Sequence, residues 1–188
     1  MRDGKHLHVL ETDRLVFRKW TGEDMDLAWD LWGDPAVTGL LGPPLSREQV
    51  GTRLRRELDF DREHGVQYWP IFLRETGEFV GCCGLRPRSR PGQGPGTIHE
   101  LGFHLKPAFW GQGYAREAAA AVIRHAFETL GAVALFAGHH PENEASRRLL
   151  ERLGFQFTHR ELYPPTGLEH PSYLLTADDD RKRNGPAG

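Results

Sequence analysis

The sequence has no long hydrophobic run. No apolar stretch among its 188 residues approaches the ~20 residues that a membrane-spanning helix needs. Residues 1–6 carry charged side chains with no apolar stretch after them, so we expect no secretory signal. Charged residues make up 27% of the chain. These features predict a cytoplasmic protein with no membrane partner, long enough for one well-buried core and short for two.

Cysteine and excess positive charge are also scarce. The two cysteines, Cys82 and Cys83, are adjacent, and neighbours on a strand point to opposite faces. They are therefore poor partners for a disulfide or a metal ion, and we interpret them as small, reduced core residues. The formal net charge of −2 argues against a nucleic-acid partner held through phosphate contacts. His139 and His140 lack a third ligand at a suitable spacing, so we predict no metal site.

What the chain does contain is an alternation of strand and helix patterns. The predicted strands are residues 14–20, 67–73, 78–85, 97–105 and 133–137, one that begins at residue 155, and residues 170–175. The predicted helices are residues 21–33, 46–64, 113–130 and 144–153, the second starting at a capping box of Ser46 and Gln49. This order predicts one α/β domain over residues 1–176, with helices on both sides of a mixed sheet. Residues 177–188 are predicted to form a disordered tail.

Two glycines, Gly111 and Gly113, lie between the strand at 97–105 and the helix at 113–130. Glycines let the backbone approach a ligand closely, and the first turn of a helix presents unpaired N–H groups and the positive end of the helix dipole. The turn therefore predicts a cradle for an anion, most naturally a phosphate or pyrophosphate.

Four interpretations of this turn compete. A nucleotide P-loop needs Lys-Ser or Lys-Thr after its glycines, and this chain has neither there. A dinucleotide fingerprint needs a third glycine where the chain has Arg116. The acetyl-coenzyme A loop of GCN5-related N-acetyltransferases has the pattern Gln/Arg-x-x-Gly-x-Gly/Ala, and Gly111 and Gly113 match its two small positions. A plain helix start with a flexible turn is the fourth interpretation.

Four stretches in order carry a wider resemblance. They are Thr12-Asp13-Arg14-Leu15-Val16-Phe17-Arg18, Val80-Gly81-Cys82-Cys83-Gly84-Leu85, residues 100–105 with 110–118, and residues 143–155. Together they resemble the GCN5-related N-acetyltransferase (GNAT) family, in its RimJ/RimL-like branch of ribosomal-protein N-terminal acetyltransferases. The resemblance covers most of the chain. It implies an α/β (α+β) fold with a mostly antiparallel central sheet of about 6–7 strands, about 4 flanking helices and a splayed slot for the cofactor.

The resemblance also implies acetyl-CoA, or CoA, as the co-substrate, with no metal. It places cofactor contacts along the cofactor strand, the glycine turn and the last helix of the pattern. These residues are Phe103, His104, Leu105, Trp110, Gly111, Gln112, Gly113, Tyr114, Ala115, Arg116, Asn143 and Ser146. Ala108 stands where the family pattern has Gln or Arg, so that side-chain contact is missing while the backbone cradle is unaffected. Asn143 fits a pantetheine contact, a helix cap or both.

Acetyl transfer to an amine makes three chemical demands. The amine must be neutral, so a general base helps, because free amines are mostly protonated at neutral pH. The developing oxyanion needs N–H donors, and the departing thiolate benefits from a proton. Glu100 is the candidate base, since many relatives have a glutamate at this place on the cofactor strand; a surface carboxylate paired with an arginine is the alternative. By alternation His104 lies on the same face and is the rival base.

Ser146 is the candidate acid for the thiolate. In the RimJ/RimL-like branch this serine is implied to take the place of a tyrosine, and the tyrosine position of many relatives is Leu150 here. The alternative is a hydroxyl that only bonds back to the helix backbone.

The prediction for the whole chain is an N-acetyltransferase that uses acetyl-CoA and direct attack by a primary amine in a ternary complex. The acceptor is a protein N-terminus or a small amine, and the branch implies a possible homodimer. A non-catalytic CoA-binding sensor or interaction module on the same fold is the alternative; it would keep the glycine turn without needing Glu100 or Ser146. The loop at residues 86–96 is interpreted as a solvated loop or as a flap near the acceptor.

Overall fold

The computed structural model describes residues 8–88 and 98–184, which build a single eight-stranded sheet in the order β1-β2-β3-β4-β5-β6-β8-β7. The strands are β1 His8–Glu11, β2 Leu15–Arg18, β3 Tyr68–Leu73, β4 Phe79–Pro87, β5 Ile98–Leu105, β6 Ala134–Gly138, β7 Gln156–Tyr163 and β8 Leu168–Thr176. Among the described residues, β5 and β6 are the one parallel pair, and all other neighbours are antiparallel. The predicted mixed, mostly antiparallel α/β sheet is therefore confirmed.

The helices are α1 Met25–Trp32, α2 Pro35–Thr38, α3 Arg47–His64, α4 Tyr114–Arg124, α5 Glu144–Leu153 and α6 Ala177–Asn184. The end of α4 continues into a π-helical turn over His125–Thr129. The predicted capping box is present at the start of α3, where Ser46 and Gln49 exchange side-chain to backbone hydrogen bonds. Gly65 ends α3 in the left-handed conformation, as a glycine after a helix commonly does. None of the described helices is long and apolar enough to cross a membrane.

The structure has more elements than the sequence predicted. The eighth strand is β1, a four-residue edge strand whose sequence shows no alternating pattern. Helix α2 is one turn, which Asp34 caps by accepting the Ala36 N–H, in a stretch where the sequence predicted neither helix nor strand.

The prediction of disorder after Thr176 is wrong for residues 177–184, which form α6. Thr176 caps this helix by accepting the Asp179 N–H at 3.1 Å, and it donates its hydroxyl to the Asp179 carboxylate at 2.6 Å. Aspartates fill the first turn of α6 and basic residues the last, an arrangement that complements the helix dipole.

The two faces of the sheet carry separate hydrophobic clusters. Cys83 belongs to the cluster that packs against α4 and α5, and its neighbour Cys82 to the cluster that packs against α1 and α3. Both cysteines are free and buried, and burial raises the pKa of the Cys82 thiol to about 12. They are reduced core residues, as the sequence predicts. Trp32 and Trp69 are also fully buried, one in each cluster.

The parallel strands β5 and β6 pair over a short distance only. Their register runs from Ile98↔Ala134 to Glu100↔Phe136 and then stops, while β5 continues to Leu105 and β6 to Gly138. On its other side β5 remains paired with β4 from His99 to Leu105. Beyond Glu100, β5 therefore has a paired edge and an edge that no described strand covers. This divergence is the predicted splayed slot.

Candidate active site

The glycine turn leads directly from β5 into α4. Gly111 and Gly113 have φ of 71° and 84°, in the left-handed region that favours glycine. The indole N–H of Trp110 donates to the Leu105 carbonyl at 2.8 Å, and the Gln112 amide donates to the Ala108 carbonyl at 2.7 Å. No described side chain caps the first turn of α4, so its N–H groups remain available to an anion.

The N-terminal Thr-Asp-Arg motif holds this turn from the side. The Arg14 Nε–H donates to the Glu117 carboxylate at 2.6 Å, and the Thr12 hydroxyl and the Arg14 backbone N–H donate to its other oxygen at 2.6 and 3.0 Å. A second Arg14 donor reaches the Gln112 carbonyl at 3.1 Å, and the guanidinium lies 4.4 Å from the centre of the Tyr114 ring. Two distant stretches of the resemblance thus meet in one contact network.

A cavity of about 860 Å³ begins at the glycine turn and extends between the divergent strands. It is lined by residues from the turn, β5, the ends of β6 and β8, α5, β7 and the connection around α2. Of the thirteen residues predicted for the base, the acid and the cofactor contacts, all but Gln112 line the cavity. They are Glu100, Phe103, His104, Leu105, Trp110, Gly111, Gly113, Tyr114, Ala115, Arg116, Asn143 and Ser146. Gln112 instead turns back into the loop.

Glu100 is held by two side chains. The Tyr68 hydroxyl donates to one carboxylate oxygen at 2.9 Å, and the Arg88 guanidinium lies 3.5 Å from the other. Burial, and next the Glu100 charge, raise the pKa of Tyr68 well above its ordinary value, so this hydroxyl stays protonated and donates. Arg88 makes its shorter contact, 3.0 Å, with Glu161 on β7. Glu100 therefore keeps one well-formed hydrogen bond and one long ion pair.

His104 lies on the same face of β5 as Glu100, with Gly102 between them. A Cβ atom at position 102 would overlap the Tyr68 ring, so the glycine creates the space that the ring occupies. The Tyr68 and His104 rings have centroids 5.9 Å apart. Burial lowers the pKa of His104 well below its ordinary value, and the charges of Arg53 and Arg86 lower it further. His104 is therefore a neutral imidazole at physiological pH.

The buried ion pair of Glu57 and Arg86 contacts Tyr68 and fixes its position. Glu57 on α3 is fully buried and accepts hydrogen bonds from the Arg86 guanidinium and, at 2.8 Å, from the Tyr68 backbone N–H. The Arg86 guanidinium lies over the Tyr68 ring, 4.0 Å from its centre. The ring is thus fixed between a cation, a carboxylate and a glycine.

Asn143 and Ser146 lie at the start of α5. Asn143 is the N-cap, and its side-chain oxygen accepts the Ser146 N–H at 3.0 Å. The Ser146 hydroxyl makes no hydrogen bond within the part of the chain that the structure describes. The helix-cap role of Asn143 is confirmed, while the chemical roles of Ser146 and Asn143 stay predictions.

Three histidines meet at the β6–β8 end of the cavity. The His140 and His170 rings have centroids 5.3 Å apart, and His139 hydrogen-bonds to the His140 carbonyl at 2.7 Å. Burial lowers the pKa of His139 and of His170 below the ordinary value. Among residues 8–88 and 98–184, no group of histidine, cysteine or carboxylate side chains has a geometry that could hold a metal ion.

Several lining residues had no signal in the sequence. Tyr68 lies in the predicted strand at 67–73 and Arg88 in the loop interpreted at 86–96, while Arg53 and Glu161 had no predicted role. They come from β3, the end of β4, α3 and β7, so only the packing of these elements brings them together. Most of the loop interpreted as a possible flap, residues 89–96, lies outside the described residues; Arg86 and Pro87 belong to β4.

The fold and the glycine turn define an acetyltransferase of the GNAT class. The model of the family described as "Acetyltransferase (GNAT) domain" matches residues 14–156, and the chain belongs to this family. The Bacillus licheniformis protein named "uncharacterized N-acetyltransferase p20" is 32% identical over 152 residues, which are 80% of this chain and 83% of that protein. The chain is thus an N-acetyltransferase by family.

Solved structures agree at the level of the fold. An Agrobacterium tumefaciens acetyltransferase has a TM-score of 0.72 and 29% identity, covering 88% of this chain and 92% of that one. RimL, a ribosomal L7/L12 α-N-protein acetyltransferase solved with coenzyme A, has a TM-score of 0.74, with coverage of 92% and 99%. Its identity is 15%, so that likeness concerns the fold alone.

Proposed function

We propose that this enzyme transfers the acetyl group of acetyl-CoA directly to a primary amine within a ternary complex. The observation that carries the proposal is the end of the β5–β6 register at Glu100↔Phe136, with the glycine turn at the far end of the exposed strand edge. A pantetheine arm needs an extended backbone to bond with, and its pyrophosphate needs a cradle of N–H groups. Both lie in sequence along one cavity.

In this proposal the pyrophosphate binds the N–H groups at the start of α4, and the pantetheine arm bonds to the backbone of residues 103–105. The thioester then lies near Glu100 and His104, where the cavity passes Tyr68. Arg116 and Arg148 line the same cavity and add positive charge for the phosphates. RimL, of the same fold, binds coenzyme A, which supports this assignment of the co-substrate.

Glu100 acts as the general base in this mechanism. It accepts the proton that the acceptor ammonium loses, so that the neutral amine attacks the thioester carbon. Its carboxylate is positioned by the Tyr68 hydroxyl, and its contact with Arg88 is long enough to be replaced by a substrate. His104, held neutral by burial and two cations, is the second candidate because it retains a lone pair.

Ser146 completes the reaction as the proton donor to the departing CoA thiolate. Its hydroxyl lines the cavity and has no hydrogen-bond partner among the described residues. The attack breaks the C–S bond and forms the C–N bond, and the two protons go to Glu100 and to the sulfur. No cysteine takes part, since Cys82 and Cys83 are buried and, with raised pKa values, protonated at neutral pH.

The first test is calorimetric titration of the protein with acetyl-CoA, CoA and ATP. The matched variant is Gly111→Asp/Gly113→Asp, which places carboxylates at the cradle, and the control is Gly22→Asp at an open position outside it. The proposal expects micromolar binding of both CoA species by the wild type and the control, loss in the matched variant, and no ATP binding. A folded wild-type protein that does not bind CoA would exclude the proposal.

The second test separates catalysis from binding. We expect Glu100→Gln to slow acetyl transfer by about 10²–10⁴-fold with CoA affinity intact. Ser146→Ala should slow transfer and leave CoA affinity intact as well. Unchanged turnover in both variants would assign the chemistry to other groups. A wild type that binds CoA and shows no turnover would favour the non-catalytic CoA-binding module.

The family and the residues that line the cavity together restrict the class of acceptor. A protein N-terminus, as in the acceptor named for RimL, and a small amine both remain in the proposal. Apolar residues from the connection around α2, Val37, Leu40 and Leu41, line the cavity together with Phe136 on β6. The acceptor amine is therefore expected to carry an apolar group.

A further inference from the structure

One arginine of the cavity wall lacks the partners that its neighbours have. Arg53 on α3 lies among Tyr68, His104 and Arg86, all of which line the cavity. Its Nε–H is buried and has no hydrogen-bond partner. Within the described ranges no acceptor or carboxylate reaches its guanidinium, which stacks 4.7 Å from the centre of the Trp32 ring. An aromatic face attracts a cation but accepts little from its in-plane N–H donors.

The other charged groups at this end of the cavity are already paired. Glu57 bonds to Arg86, and Glu161 accepts the shorter contact of Arg88. This leaves two charges incompletely matched, and they have opposite signs. They are the Arg53 guanidinium, without a partner, and the Glu100 carboxylate, whose one cation lies 3.5 Å away.

The Arg53 cation is held at a cost in free energy. Burial lowers the pKa of Arg53 and the Arg86 charge lowers it further. The charge of Glu57, which is hydrogen-bonded to Arg86, raises this pKa without offsetting them. Buried cations in proteins are normally paired or fully hydrogen-bonded. An anion that bonded to the guanidinium in the cavity would supply both the missing charge and the missing acceptors.

We propose that Arg53 binds an anionic group, a carboxylate in particular, on the acceptor whose amine lies at Glu100. Tyr68 connects the two sites: its hydroxyl bonds to Glu100, its ring lies 5.9 Å from the His104 ring, and it lines the same cavity as Arg53. The acceptor class is therefore an amine with a free carboxylate and an apolar substituent, as in an apolar amino acid. This inference rests on the proposed function, because it names the substrate of that same site.

The equilibrium test needs no turnover. The probe is 3-phenylpropionate, and the matched neutral probe is 3-phenylpropionamide, each titrated into the CoA-bound protein. The arginine Nε–H resonances are followed by NMR, and the Arg53 resonance is identified by its loss in Arg53→Gln. The acid should shift this resonance and bind about ten-fold more tightly than the amide, a difference that should vanish in Arg53→Gln. If the chemical shift of the Arg53 resonance does not change when the acid is added, the proposal is wrong.

The kinetic test uses acceptors that differ only in charge. Phenylalanine and phenylalaninamide are compared as acetyl acceptors, and the ratio of their kcat/KM values is measured in wild type, Arg53→Gln and Arg53→Lys. We expect the ratio to fall about ten-fold or more in Arg53→Gln, mainly through KM, and to be partly kept in Arg53→Lys. Comparing ratios removes the difference in amine basicity between the two acceptors.

The control variant is Arg55→Gln, two residues along α3, where an exposed guanidinium bonds to Thr52. It should leave the ratio unchanged. Circular dichroism and CoA affinity show whether Arg53→Gln is folded. If this variant does not fold, Arg53→Lys is used in its place. Failure of the wild type to bind CoA contradicts the proposed function itself. If the wild type binds CoA and Arg53→Gln leaves the ratio of the two kcat/KM values unchanged, only the role of Arg53 is contradicted. Arg53 would then serve to pack against the Trp32 ring.

Discussion

The guanidinium of Arg14 and the carboxylate of Glu117 lie 2.6 Å apart, although 103 positions separate them in the chain. The contact joins the residue before β2 to the first turn of α4, which follows the glycine turn. Arg14 reaches the Gln112 carbonyl from the same guanidinium. The cradle is thus fixed by the N-terminal part of the sheet before any ligand arrives, which reduces the ordering cost of binding.

Glu117→Gln should therefore lower both stability and CoA affinity. The change removes a carboxylate that accepts from Thr12 and Arg14, and we expect a loss of about 1–3 kcal/mol in the free energy of unfolding. Urea denaturation and calorimetry measure the two effects. The control is Glu144→Gln on α5, where an exposed ion pair with Arg147 should contribute little.

The stability difference between wild type and Glu117→Gln should depend on pH. Burial alone would raise the pKa of Glu117, but hydrogen bonds from Thr12 and Arg14 outweigh it and lower the pKa below 4.5. A lowered pKa gives stability that is present above the unfolded-state value and is lost as the pH falls through the folded-state value. The difference should therefore shrink in urea titrations below about pH 4.5. A constant difference down to acid pH would contradict this account of the contact.

The glycines of the turn are expected to matter through their backbone angles. A Cβ at Gly111 would meet nothing within 4 Å, so a substitution there is opposed by the positive φ rather than by crowding. Gly111→Ala and Gly113→Ala should each lower stability by about 1–2 kcal/mol and weaken CoA binding. Thermal unfolding and CoA titration test this, with Gly22→Ala, also in open space, as the control. Wild-type CoA affinity in both alanine variants would show that the turn adapts.

Tyr68→Phe tests how the candidate base is positioned. It removes the hydroxyl that donates to Glu100 at 2.9 Å and keeps the ring over Gly102. Without this donor the Glu100 carboxylate is no longer held in one position, so kcat/KM should fall about 10-fold with CoA affinity unchanged. Acetyl-transfer kinetics and CoA titration are the measurements, and Tyr173→Phe, which does not line the cavity, is the control. Wild-type kcat/KM in Tyr68→Phe would show that the hydroxyl does not position the base.

The buried pair behind Tyr68 should dominate stability at this end of the sheet. Glu57→Gln leaves the Arg86 guanidinium without its carboxylate in a buried site, and such a change costs about 3–5 kcal/mol. The matched control is Glu63→Gln, farther along α3, where the carboxylate is exposed. Chemical denaturation of the two variants gives the comparison. Equal, small losses would show that water reaches Arg86 in the variant and replaces the carboxylate.

The order of strands and helices was predictable because each long element has its own pattern. The capping box of Ser46 and Gln49, and the glycines at the ends of α3 and α5, act within a few residues of chain, so their signals are local. The short edge strand β1 and the one-turn α2 have too few residues to show a period. The tail was judged by its composition, which gave no weight to the cap that Thr176 provides for α6.

The site was predictable along β5 and the glycine turn and not across the sheet. Glu100, Gly111 and Ser146 belong to stretches that resemble a family, and they line one cavity. Tyr68 and Arg53 depend on contacts between elements, because the first needs the missing side chain of Gly102 and the second needs the Trp32 ring. Such relationships have no signature in the order of residues along the chain.

The β5–β6 pairing ends at Glu100↔Phe136, and this bears on whether copies of the protein can pair through their strands. An unpaired strand edge on the outside of a sheet is a template for other chains, and proteins usually protect it. Here the open edge of β5 lies along the cavity that β6 and the start of α5 also line, inside the sheet and not at its outer edge. The enzyme can thus keep free hydrogen-bonding groups for a slender ligand without offering them to a neighbouring strand.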